Sequence, residues 1–233
     1  CTALEQLGAE AIRCPAIAFE PMSDARPLRN RLDHIADYDW IVFTSSNGVR
    51  FFADAWSDRA LPAELRIAVV GSSTAEAAAA ALRRPDLIPD RFDAEHLLDA
   101  LGEVRGRRIL LPQAEAARPT LADGLAGRGA EVDAVPIYRT VAGDPSATVL
   151  EDVRRGVDAL TFTSPTTAVY FAELLGADAL RVAASAAIVC IGPVTAAAVR
   201  ELGWSVDAVA EPHTVDGLVE AVVHQIADAH ASR

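Results

Sequence analysis

The sequence contains no lysine, and all 21 of its basic residues are arginine. Without lysine the chain cannot form a Schiff base with a carbonyl substrate, and it lacks the lysine that defines a P-loop. Positive charge is also scarce, because 33 acidic residues give a formal net charge of −12. This balance argues against nucleic acid as a general partner. The composition thus excludes lysine-based covalent catalysis and disfavours nucleic-acid binding.

Cysteine is scarce, and histidine is never clustered. Cys1, Cys14 and Cys190 form no close pair, which fits neither a disulfide framework nor a zinc site and predicts reduced, structural thiols. None of the five histidines forms a His-x-x-x-His or Glu-x-x-His pattern. They stand at His34, His96, His213, His224 and His230. We therefore expect no metal site and no metal cofactor.

Long apolar runs are absent as well. The best candidate for a membrane span, residues 183–199, is rich in alanine and is interrupted by Gly192 and Pro193. The first residues do not show the basic, apolar and small-residue pattern of a secretion signal. We therefore expect a cytoplasmic protein with no membrane interaction. At 233 residues, the chain has room for one large domain or two small ones.

The segment DWIVFTSSNGVRFF, residues 39–52, changes character abruptly in its middle. Residues 41–43 predict a buried strand, and the hydroxyl, amide and glycine residues that follow are typical of a turn into a helix. The segment recurs as DALTFTSPTTAVYFAELL at residues 158–175, where Thr163 stands 119 positions after Thr44. The chain therefore contains an internal repeat.

Two further pairs of segments occur in the same order and at nearly the same offset. IAVVGSSTAEAAAAAL from Ile67 matches IVCIGPVTAAAVRELG from Ile188. LEQLGAEAIRCP from Leu4 matches LAGRGAEVDAVP from Leu125, and both pairs are 121 positions apart. Three ordered matches at this long period predict two related domains rather than a solenoid of short repeats.

Each half alternates short β-branched runs with alanine-rich helical segments, which predicts α/β domains with parallel sheets and helices on both faces. Gly8 and Gly129 stand where a helix should end in a left-handed residue before a strand. RRILLP, residues 107–112, predicts a strand before the helix of one repeat, whereas the other repeat begins at Cys1, which aligns near Ala122 within that helix. We therefore expect the chain to be truncated by one strand and one turn at the start of its first domain.

Hydroxyl and glycine residues follow four of the predicted strands. Ligands of parallel sheets bind beyond the carboxyl ends of strands, where the next helix directs free amides and a partial positive charge. The side chains there could cap the helix, or a carboxylate or phosphate could bind the same amides. Because these ends recur in both domains, we expect an anion-binding site, with Pro165 and Pro193 in first helical turns. The four ends are Thr44-Ser45-Ser46-Asn47, Gly71-Ser72-Ser73-Thr74, Thr163-Ser164-Pro165-Thr166 and Gly192-Pro193-Val194-Thr195.

Six segments together resemble the uroporphyrinogen-III synthase family, in family order and over nearly the whole chain. They are VFTSSNGVRFF, VVGSSTAEA, VPIYRTV, TFTSPTTAVYF, CIGPVTAAAVRELGW and HTVDGLVEAV. The resemblance implies two Rossmann-like parallel-sheet domains joined by a two-stranded linker, with the active site in the cleft between them. It places a discontinuous first domain at 1–18 and 142–233, a second domain at 22–136, and antiparallel linkers at about 15–22 and 136–143. The chain departs from the family at its start, where a first strand and an arginine-containing turn are usual.

The same resemblance implies a monomeric lyase that needs no cofactor and acts on hydroxymethylbilane, a linear tetrapyrrole with acetate and propionate chains. The family removes water, closes the ring and inverts ring D, giving uroporphyrinogen III for haem, cobalamin and sirohaem synthesis. The accepted route passes through an azafulvene and a spiro-pyrrolenine. Because closure without inversion occurs unaided, the protein would mainly hold one geometry.

The resemblance also implies roles for individual residues. Tyr138 matches the linker tyrosine of the family and could donate to the departing hydroxyl, or it could simply pack against a domain. Arg118, and less strongly Arg139, could pair with a substrate carboxylate or remain solvated. No histidine stands near the strand-end hydroxyls in sequence, which disfavours a Ser-His hydrolase. The substrate-binding residues implied besides Arg118 are Thr44, Ser45, Ser46, Asn47, Gly71, Ser72, Thr74, Ser164, Pro165, Thr166, Gly192 and Thr195.

Three alternatives stay open at this stage. A non-catalytic two-domain module that closes on a small anion would have no need of Tyr138. A sugar-phosphate isomerase would need a carboxylate or histidine base beside the strand ends, and the sequence shows none there. A sensing module of the same fold is the third alternative, and a fusion to, or handover from, another enzyme of the pathway is compatible with the sequence.

Overall fold

The computed structural model describes residues 2–57 and 59–231, which form two compact units. The terminal unit contains Cys1–Ala18 and Val141–Arg233, and the central unit contains Phe19–Thr140. The chain therefore leaves the terminal unit, builds the central unit and returns. Cys1 and the side chain of His230, both considered above as possible ligands, lie outside the described residues.

Helices and strands alternate along most of the described chain. The strands are β1 (Ile17–Pro21), β2 (Trp40–Phe43), β3 (Arg66–Val69), β4 (Arg108–Ala114), β5 (Glu131–Ala142), β6 (Ala159–Phe162), β7 (Ala187–Cys190) and β8 (Ala208–Val209). The helices are α1 (Thr2–Gln6), α2 (Arg26–Leu32), α3 (Ser46–Trp56), α4 (Ser72–Ala81), α5 (Ala94–Leu101), α6 (Thr120–Gly127), α7 (Ala147–Arg155), α8 (Pro165–Leu175), α9 (Ala179–Ser185), α10 (Pro193–Glu201) and α11 (Val215–Ala231). Within residues 2–57 and 59–231, no helix is both long and apolar enough to cross a membrane.

The central unit is built on a five-stranded sheet in the order β1-β5-β4-β2-β3. β2 pairs in parallel with β3 and β4, and β4 pairs in parallel with β5. Ile41 and Phe43 enter a core shared with α3 and α4, whereas Trp40 and Val42 enter a second core shared with α5 and α6. Successive residues of a strand face opposite sides, so this division shows helices on both faces of the sheet. The prediction of a parallel sheet covered on both faces is confirmed.

The terminal unit has a sheet of three parallel strands in the order β6-β7-β8. On one face, Phe162 and Ile188 pack in a core with residues of α8 and α10. On the other face, Val189 packs with Leu218 and Val222 of α11. The terminal unit is therefore layered in the same way as the central unit.

Equivalent hydrogen bonds show that the two units repeat one structure. In the central unit, Asp86 Oδ2 accepts from the Ile67 N–H at 2.7 Å. In the terminal unit, Asp207 Oδ2 accepts from the Ile188 N–H, also at 2.7 Å. In each pair, the donor lies near the start of a strand. The aspartate lies in the segment after the helix that follows that strand. The internal repeat predicted from the sequence is confirmed.

The same repetition is visible at two helix ends. Gly8 follows α1 with φ of +90°, and Gly129 follows α6 with φ of +86°. The residue after each glycine donates to a carbonyl five positions earlier, at 3.1 and 3.2 Å. This pattern is the Schellman motif, in which a glycine adopts the left-handed conformation at little cost. The two predicted left-handed helix ends are confirmed.

The segments at the two crossings between the units pair as antiparallel strands. The Met22 N–H donates to the Ile137 carbonyl at 3.2 Å, and the Gly143 N–H donates to the Ala16 carbonyl at 2.9 Å. One residue number rises as the other falls, which is the pattern of an antiparallel pair. Gly143 is required by close packing, because a Cβ atom there would lie 1.8 Å from the Pro15 carbonyl oxygen.

A half-buried carboxylate on β5 ties α2 to the central sheet. Asp133 accepts hydrogen bonds from the Tyr38 hydroxyl and from Arg31 Nε and Nη2, the last two at 3.2 and 3.0 Å. Partial burial alone would raise the pKa of Asp133, but these hydrogen bonds outweigh it and hold the pKa below its usual range. Burial, followed by the hydrogen bond to Asp133, raises the pKa of Tyr38 far above its ordinary value. This network therefore favours an ionised Asp133 beside a neutral tyrosine.

Candidate functional site

Within each unit, two of the four strand ends lie side by side. Phe43 at the end of β2 is in register with Val69 at the end of β3. Phe162 at the end of β6 is likewise in register with Cys190 at the end of β7. The turns that follow therefore share one edge of their own sheet, which is the edge where parallel α/β sheets bind ligands.

The two serine turns hold helix caps. Ser45 Oγ accepts from the Gly48 N–H at 3.0 Å, and Ser164 Oγ accepts from the Thr167 N–H at 3.2 Å. Both serines have the extended backbone of an N-cap residue, at the starts of α3 and α8. A side-chain oxygen in this position satisfies one of the amides that a helix start leaves free. For these two serines, capping is therefore an observed role.

The two glycine turns are different, because neither helix start has a side-chain cap. Gly71 is the N-cap of α4 and Gly192 is the N-cap of α10, and no side-chain oxygen caps either helix. The first intrahelical bonds reach back to these glycines from Ala75 and Ala196, both at 3.0 Å. The amides before them have no partner within their helix, so they can bind an anion.

A buried threonine stands at the third position of each uncapped helix. Thr74 in α4 is 3% exposed and Thr195 in α10 is 4% exposed, and they are the buried polar residues of the described chain. Neither hydroxyl makes a hydrogen bond to another group in the described part of the chain. Each start therefore combines free amides with a hydroxyl that is not used for capping.

An aromatic ring packs over each glycine, and the sequence analysis missed both rings. A Cβ atom on Gly71 would lie 3.2 Å from the Phe92 ring, and one on Gly192 would lie 3.7 Å from the His213 ring. His213 Nδ1 is 2.6 Å from the Ala210 carbonyl oxygen, which fixes Nδ1 as a donor and leaves Nε2 available. The signal was present in the sequence, because Phe92 and His213 are separated by the repeat offset of 121 positions.

His213 also corrects one expectation. The sequence places no histidine close to the strand-end hydroxyls, yet the chain returns past β8 and sets the His213 ring against Gly192. His213 and Gly192 lie close together because they follow neighbouring strands of the sheet, although they are far apart in sequence. Sequence distance therefore does not exclude a histidine base at the glycine turn.

Tyr138 lies at the same edge of the central sheet as Ser45. Tyr138 is 6% exposed, and its hydroxyl is 2.9 Å from Ser45 Oγ. The ring stacks on Phe51 at a centroid distance of 5.2 Å, and Phe19 meets it edge-on at 5.9 Å. Both possibilities raised for Tyr138 thus have a physical basis, because the ring packs in the core while the hydroxyl reaches the strand end.

The arginines near this edge differ in their partners. Arg139 is engaged by Glu20 at 3.2 Å. Arg118 is exposed between β4 and α6, and it has no ion pair with the part of the chain that the structure describes. Arg50, which the sequence analysis did not consider, lies 4.7 Å from the centre of the Phe51 ring and likewise has no described acidic partner. Arg118 and Arg50 are therefore two cations that are free to bind a carboxylate here.

The other predicted residues divide between the two units. Ser72 is exposed at the start of α4. Pro165 and Pro193 occupy first-turn positions of α8 and α10, which confirms that expectation. The remaining predicted side chains at the serine turns are exposed or half-buried, at Thr44, Ser46, Asn47, Pro165 and Thr166. Each strand end therefore carries accessible groups beside its helix start.

The described cysteines are unsuited to nucleophilic catalysis. Cys14 and Cys190 are free thiols. Burial raises the pKa of Cys14, and it raises the pKa of Cys190 to about 11. A neutral thiol is a poor nucleophile and a poor metal ligand. Among residues 2–57 and 59–231, no group of three or more histidine, cysteine or acidic side chains is placed to hold a metal ion.

Comparison with known sequences gives a consistent result. The family model described as uroporphyrinogen-III synthase HemD matches residues 2–220. A uroporphyrinogen-III synthase from Synechococcus elongatus is 33% identical over 234 residues, which cover 94% of this chain and 87% of that protein. A uroporphyrinogen-III synthase from Chlorobaculum parvum is 28% identical over 224 residues, covering 89% of this chain and 86% of the relative.

Solved structures agree on the fold. A mutant uroporphyrinogen III synthase from the extremely thermophilic bacterium Thermus thermophilus has a TM-score of 0.62 at 24% identity, covering 97% of this chain and 93% of that one. The uroporphyrinogen-III synthetase of Helicobacter pylori 26695 has a TM-score of 0.62 at 15% identity, with 91% of both chains covered. With the same fold, a family match along almost the whole sequence and a relative one-third identical, this chain belongs to the uroporphyrinogen-III synthase family.

Proposed function

We propose that this chain is a cofactor-independent lyase that converts hydroxymethylbilane into uroporphyrinogen III, the product for which its relatives are named. Family membership supports the reaction itself. The observation that best supports roles for particular residues is the pair of uncapped helix starts at Gly71 and Gly192, one in each unit. Each start combines free amides with a threonine hydroxyl, and these are the donors that a carboxylate accepts from.

The substrate's own charges make such donors necessary. Hydroxymethylbilane carries several acetate and propionate groups, and a protein of net charge −12 repels them at long range. Salt screens that repulsion over about 8–10 Å, so attraction has to come from local groups. We assign it to the amides of the two glycine turns, to Thr74 and Thr195, and to Arg118.

The serine turns take a supporting role in this proposal. Ser45 and Ser164 hold the starts of α3 and α8 in place through their caps, so their hydroxyls are committed to the protein. The accessible groups around them and at the glycine turns would line the substrate. These groups are Thr44, Ser46, Asn47, Ser72, Pro165 and Thr166.

Arg50 is a second cation for the central unit. Its guanidinium lies over Phe51, and Phe51 stacks on Tyr138, so a carboxylate bound by Arg50 would lie close to the tyrosine. Stacking on an aromatic face removes water from one side of the guanidinium and leaves its donor edge free. We therefore propose Arg50 alongside Arg118 as a carboxylate ligand.

Tyr138 is the proposed hydrogen-bond donor in the chemical step. Ser45 Oγ already accepts from the Gly48 N–H, so its own proton can point at Tyr138 Oη. The tyrosine proton is then free to face the substrate hydroxyl that departs as water. Because phenols are weak acids, the tyrosine acts as a donor that lowers the barrier to leaving, rather than as a strong acid.

The atoms of the reaction balance without a redox partner. The C–O bond of the hydroxymethyl group breaks, water leaves, and the pyrrole nitrogen lone pair forms the azafulvene. Attack by ring D at its substituted carbon gives the spiro-pyrrolenine, which fragments and recloses with ring D inverted. A proton lost from ring D restores the pyrrole. Because the net change is loss of one water, the protein has only to bind, orient and donate one hydrogen bond.

Single-turnover kinetics with chelator-treated protein test this proposal. Protein dialysed against a strong chelator, with no cofactor added, should consume fresh hydroxymethylbilane faster than the unassisted reaction and should yield the III isomer. A rate that falls to the unassisted value after chelation and recovers with metal would contradict cofactor independence. Unassisted kinetics from folded protein under every condition would contradict the reaction itself.

A further inference from the structure

His213 is exposed, yet the structure holds its ring in one place. Its Nδ1 is 2.6 Å from the Ala210 carbonyl oxygen, and because a carbonyl can only accept, Nδ1 donates. Around the histidine, the Thr214 N–H donates to the Pro212 carbonyl at 2.8 Å, and the Gly217 N–H donates to Thr214 Oγ1 at 3.2 Å. Gly217 is required by this packing, because a Cβ atom there would overlap the Pro212 carbonyl oxygen. The segment before α11 therefore fixes a ring that solvent can reach.

The edge of this ring that carries Nε2 faces the start of α10. A Cβ atom on Gly192 would lie 3.7 Å from Cγ and 4.0 Å from Cδ2 of His213. Nε2 is bonded to Cδ2, so it lies on the side of the ring that is turned toward the glycine. Within residues 2–57 and 59–231, no group is hydrogen-bonded to Nε2. The ring nitrogen that the protein leaves unused is therefore placed beside an uncapped helix start.

A buried hydroxyl at the same helix start also lacks a partner. Thr195 is 4% exposed, and the Cα–Cβ bonds of a helix tilt toward its N-terminus, so this side chain is directed at the start of α10. In the described chain, the fully enclosed side-chain atoms without a hydrogen bond are Arg83 Nε and Arg154 Nε. The unpaired Thr195 Oγ1 is not one of them, so it is open to the surface. A polar atom on a buried side chain is costly unless water or a ligand binds it.

The internal repeat isolates what is particular to His213. Phe92 stands 121 positions earlier, packs over Gly71 as His213 packs over Gly192, and is 61% exposed. A ring at this place is therefore common to both units. The imidazole adds a nitrogen that can bind a proton, and the phenyl ring does not. The ring over the glycine turn can thus become positively charged in the terminal unit and cannot in the central unit.

The charges around the histidine leave it free to pair with an anion. The turn from β7 into α10, residues 191–195, contains no titratable side chain, and Cys190 before it is buried. The segment that carries the histidine, residues 210–217, contains Glu211 and Asp216, which are both exposed. Neither of them, nor His213, forms an ion pair within the part of the chain that the structure describes. A carboxylate that approaches the ring therefore displaces no acidic partner.

We propose that His213 binds a carboxylate of the substrate as an imidazolium that donates from Nε2. The same carboxylate accepts from the free amides at the start of α10 and from the Thr195 hydroxyl. An ionised carboxylate has no proton to give, and Nδ1 already donates to Ala210, so only the protonated ring can make this bond. This inference rests on the proposed function and adds to it a substrate contact that depends on pH.

The affinity for substrate should fall as the pH rises. Histidine side chains change their charge between about pH 5 and 8, whereas carboxylates stay ionised above about pH 6. A hydrogen bond from a charged donor is worth enough to make the KM of the wild type roughly five- to tenfold lower at pH 6 than at pH 8. Fresh hydroxymethylbilane is the substrate, the unassisted rate is subtracted, and kcat should change much less than KM.

Two substitutions separate this contact from the bond to Ala210. Asparagine places a donor where Nδ1 lies and nothing where Nε2 lies. His213→Asn should therefore keep the melting temperature of the wild type, while its KM rises roughly five- to tenfold at pH 6 and little at pH 8. Glutamine reaches the position of Nε2 with an uncharged amide. His213→Gln should therefore keep part of the affinity and lose its dependence on pH.

His34→Gln is the matched control. His34 is also exposed, and its Nδ1 also lies close to a backbone carbonyl oxygen, that of Asn30 at 3.0 Å. It stands before the start of β2, at the opposite end of that strand from the serine turn. This variant should keep the KM of the wild type at both pH values.

The results that would overturn the inference differ from those that would overturn the proposed function. A wild type that gives no excess of isomer III refutes the proposed function before any variant is made. If the wild type gives that excess but His213→Asn has an unchanged KM at pH 6, the histidine binds no carboxylate. A rise in KM of equal size at pH 6 and pH 8 would show that the ring contributes shape rather than charge, and it would overturn the inference as well.

Discussion

Replacing Thr195 by valine removes one hydroxyl and keeps the shape of a buried side chain. Thr195 is 4% exposed at the third position of α10, and the N-cap of that helix is Gly192, which has no side-chain cap. The substitution therefore removes no observed capping bond, and we expect little change in melting temperature. If the hydroxyl binds a substrate carboxylate, its loss should cost about 1–2 kcal/mol of binding. That free energy corresponds to a Michaelis constant roughly 5–30 times higher.

Ser164→Ala in the same unit is the matched contrast. Ser164 Oγ caps α8 by accepting from the Thr167 N–H at 3.2 Å. Loss of such a cap costs about 1 kcal/mol of stability, which lowers the melting temperature by roughly 2–4 °C in a chain of this size. We expect this variant to keep a Michaelis constant close to that of the wild type, because the hydroxyl is committed to the helix.

Steady-state kinetics and thermal unfolding of both variants distinguish a hydroxyl that binds substrate from one that stabilises its helix. A lower melting temperature with unaltered kinetics for Thr195→Val would show that the hydroxyl is structural. A Michaelis constant raised tenfold for Ser164→Ala, at an unchanged melting temperature, would show that the serine binds substrate rather than the helix. Either result would refute the proposal that the glycine turns bind substrate while the serines of the other turns cap their helices.

Three other variants or conditions give separate expectations. Tyr138→Phe keeps the ring stacking but removes the 2.9 Å hydrogen bond to Ser45. We expect slower turnover, with isomer III still the main product. Urea unfolding should show a loss of stability of about 0.5–1.5 kcal/mol. Because the pKa of Asp133 is held below its usual range, its contribution is complete above about pH 4 and is lost as pH falls through the lower folded value. Urea unfolding should therefore show Asp133→Asn to be more destabilising at pH 7 than at pH 3. An equal loss at both would contradict the ionised network. Burial raises the pKa of Cys190 to about 11, so iodoacetamide at pH 8 should leave Cys190 unlabelled in folded protein, as read by peptide mass spectrometry; rapid labelling would contradict its burial.

The fold could be predicted because each local pattern had one physical solution. The run at Ile41–Phe43 is apolar throughout, and in the structure the whole strand is buried, as expected for a parallel strand covered on both faces. The glycines at Gly8 and Gly129 mark helix ends because only glycine adopts their backbone conformation freely. The repeat then extended each inference from one unit to the other.

The sequence could not predict which of the four helix starts are capped by a side chain and which are left uncapped. Serine and glycine turns both predict helix starts. Only the structure shows that Ser45 and Ser164 cap their helices, whereas the helix starts at Gly71 and Gly192 have no side-chain cap. The rings over the glycines were missed for a related reason. His213 comes from a distant segment that passes over a neighbouring strand end, so sequence distance does not reveal the contact. The repeat offset of 121 positions that it shares with Phe92 was the available signal.

The partners of the arginines could not be predicted from the sequence either. Arg139 and Arg118 look alike in sequence, but Glu20 engages only the first of them. Arg50 was overlooked because a helix-surface arginine is usually solvated, and its position over Phe51 depends on how α3 meets β5. Charge pairing across a sheet edge is set by tertiary structure, which no local pattern encodes.

The ratio of uroporphyrinogen isomers is the most direct test of the central claim. Freshly made hydroxymethylbilane, incubated with the folded chain and oxidised for chromatographic separation, should give predominantly isomer III. The same substrate with heat-unfolded protein should give isomer I, the product of closure without inversion. If the folded protein leaves the ratio at the value seen without it, the chain does not catalyse ring inversion and the proposed function is wrong.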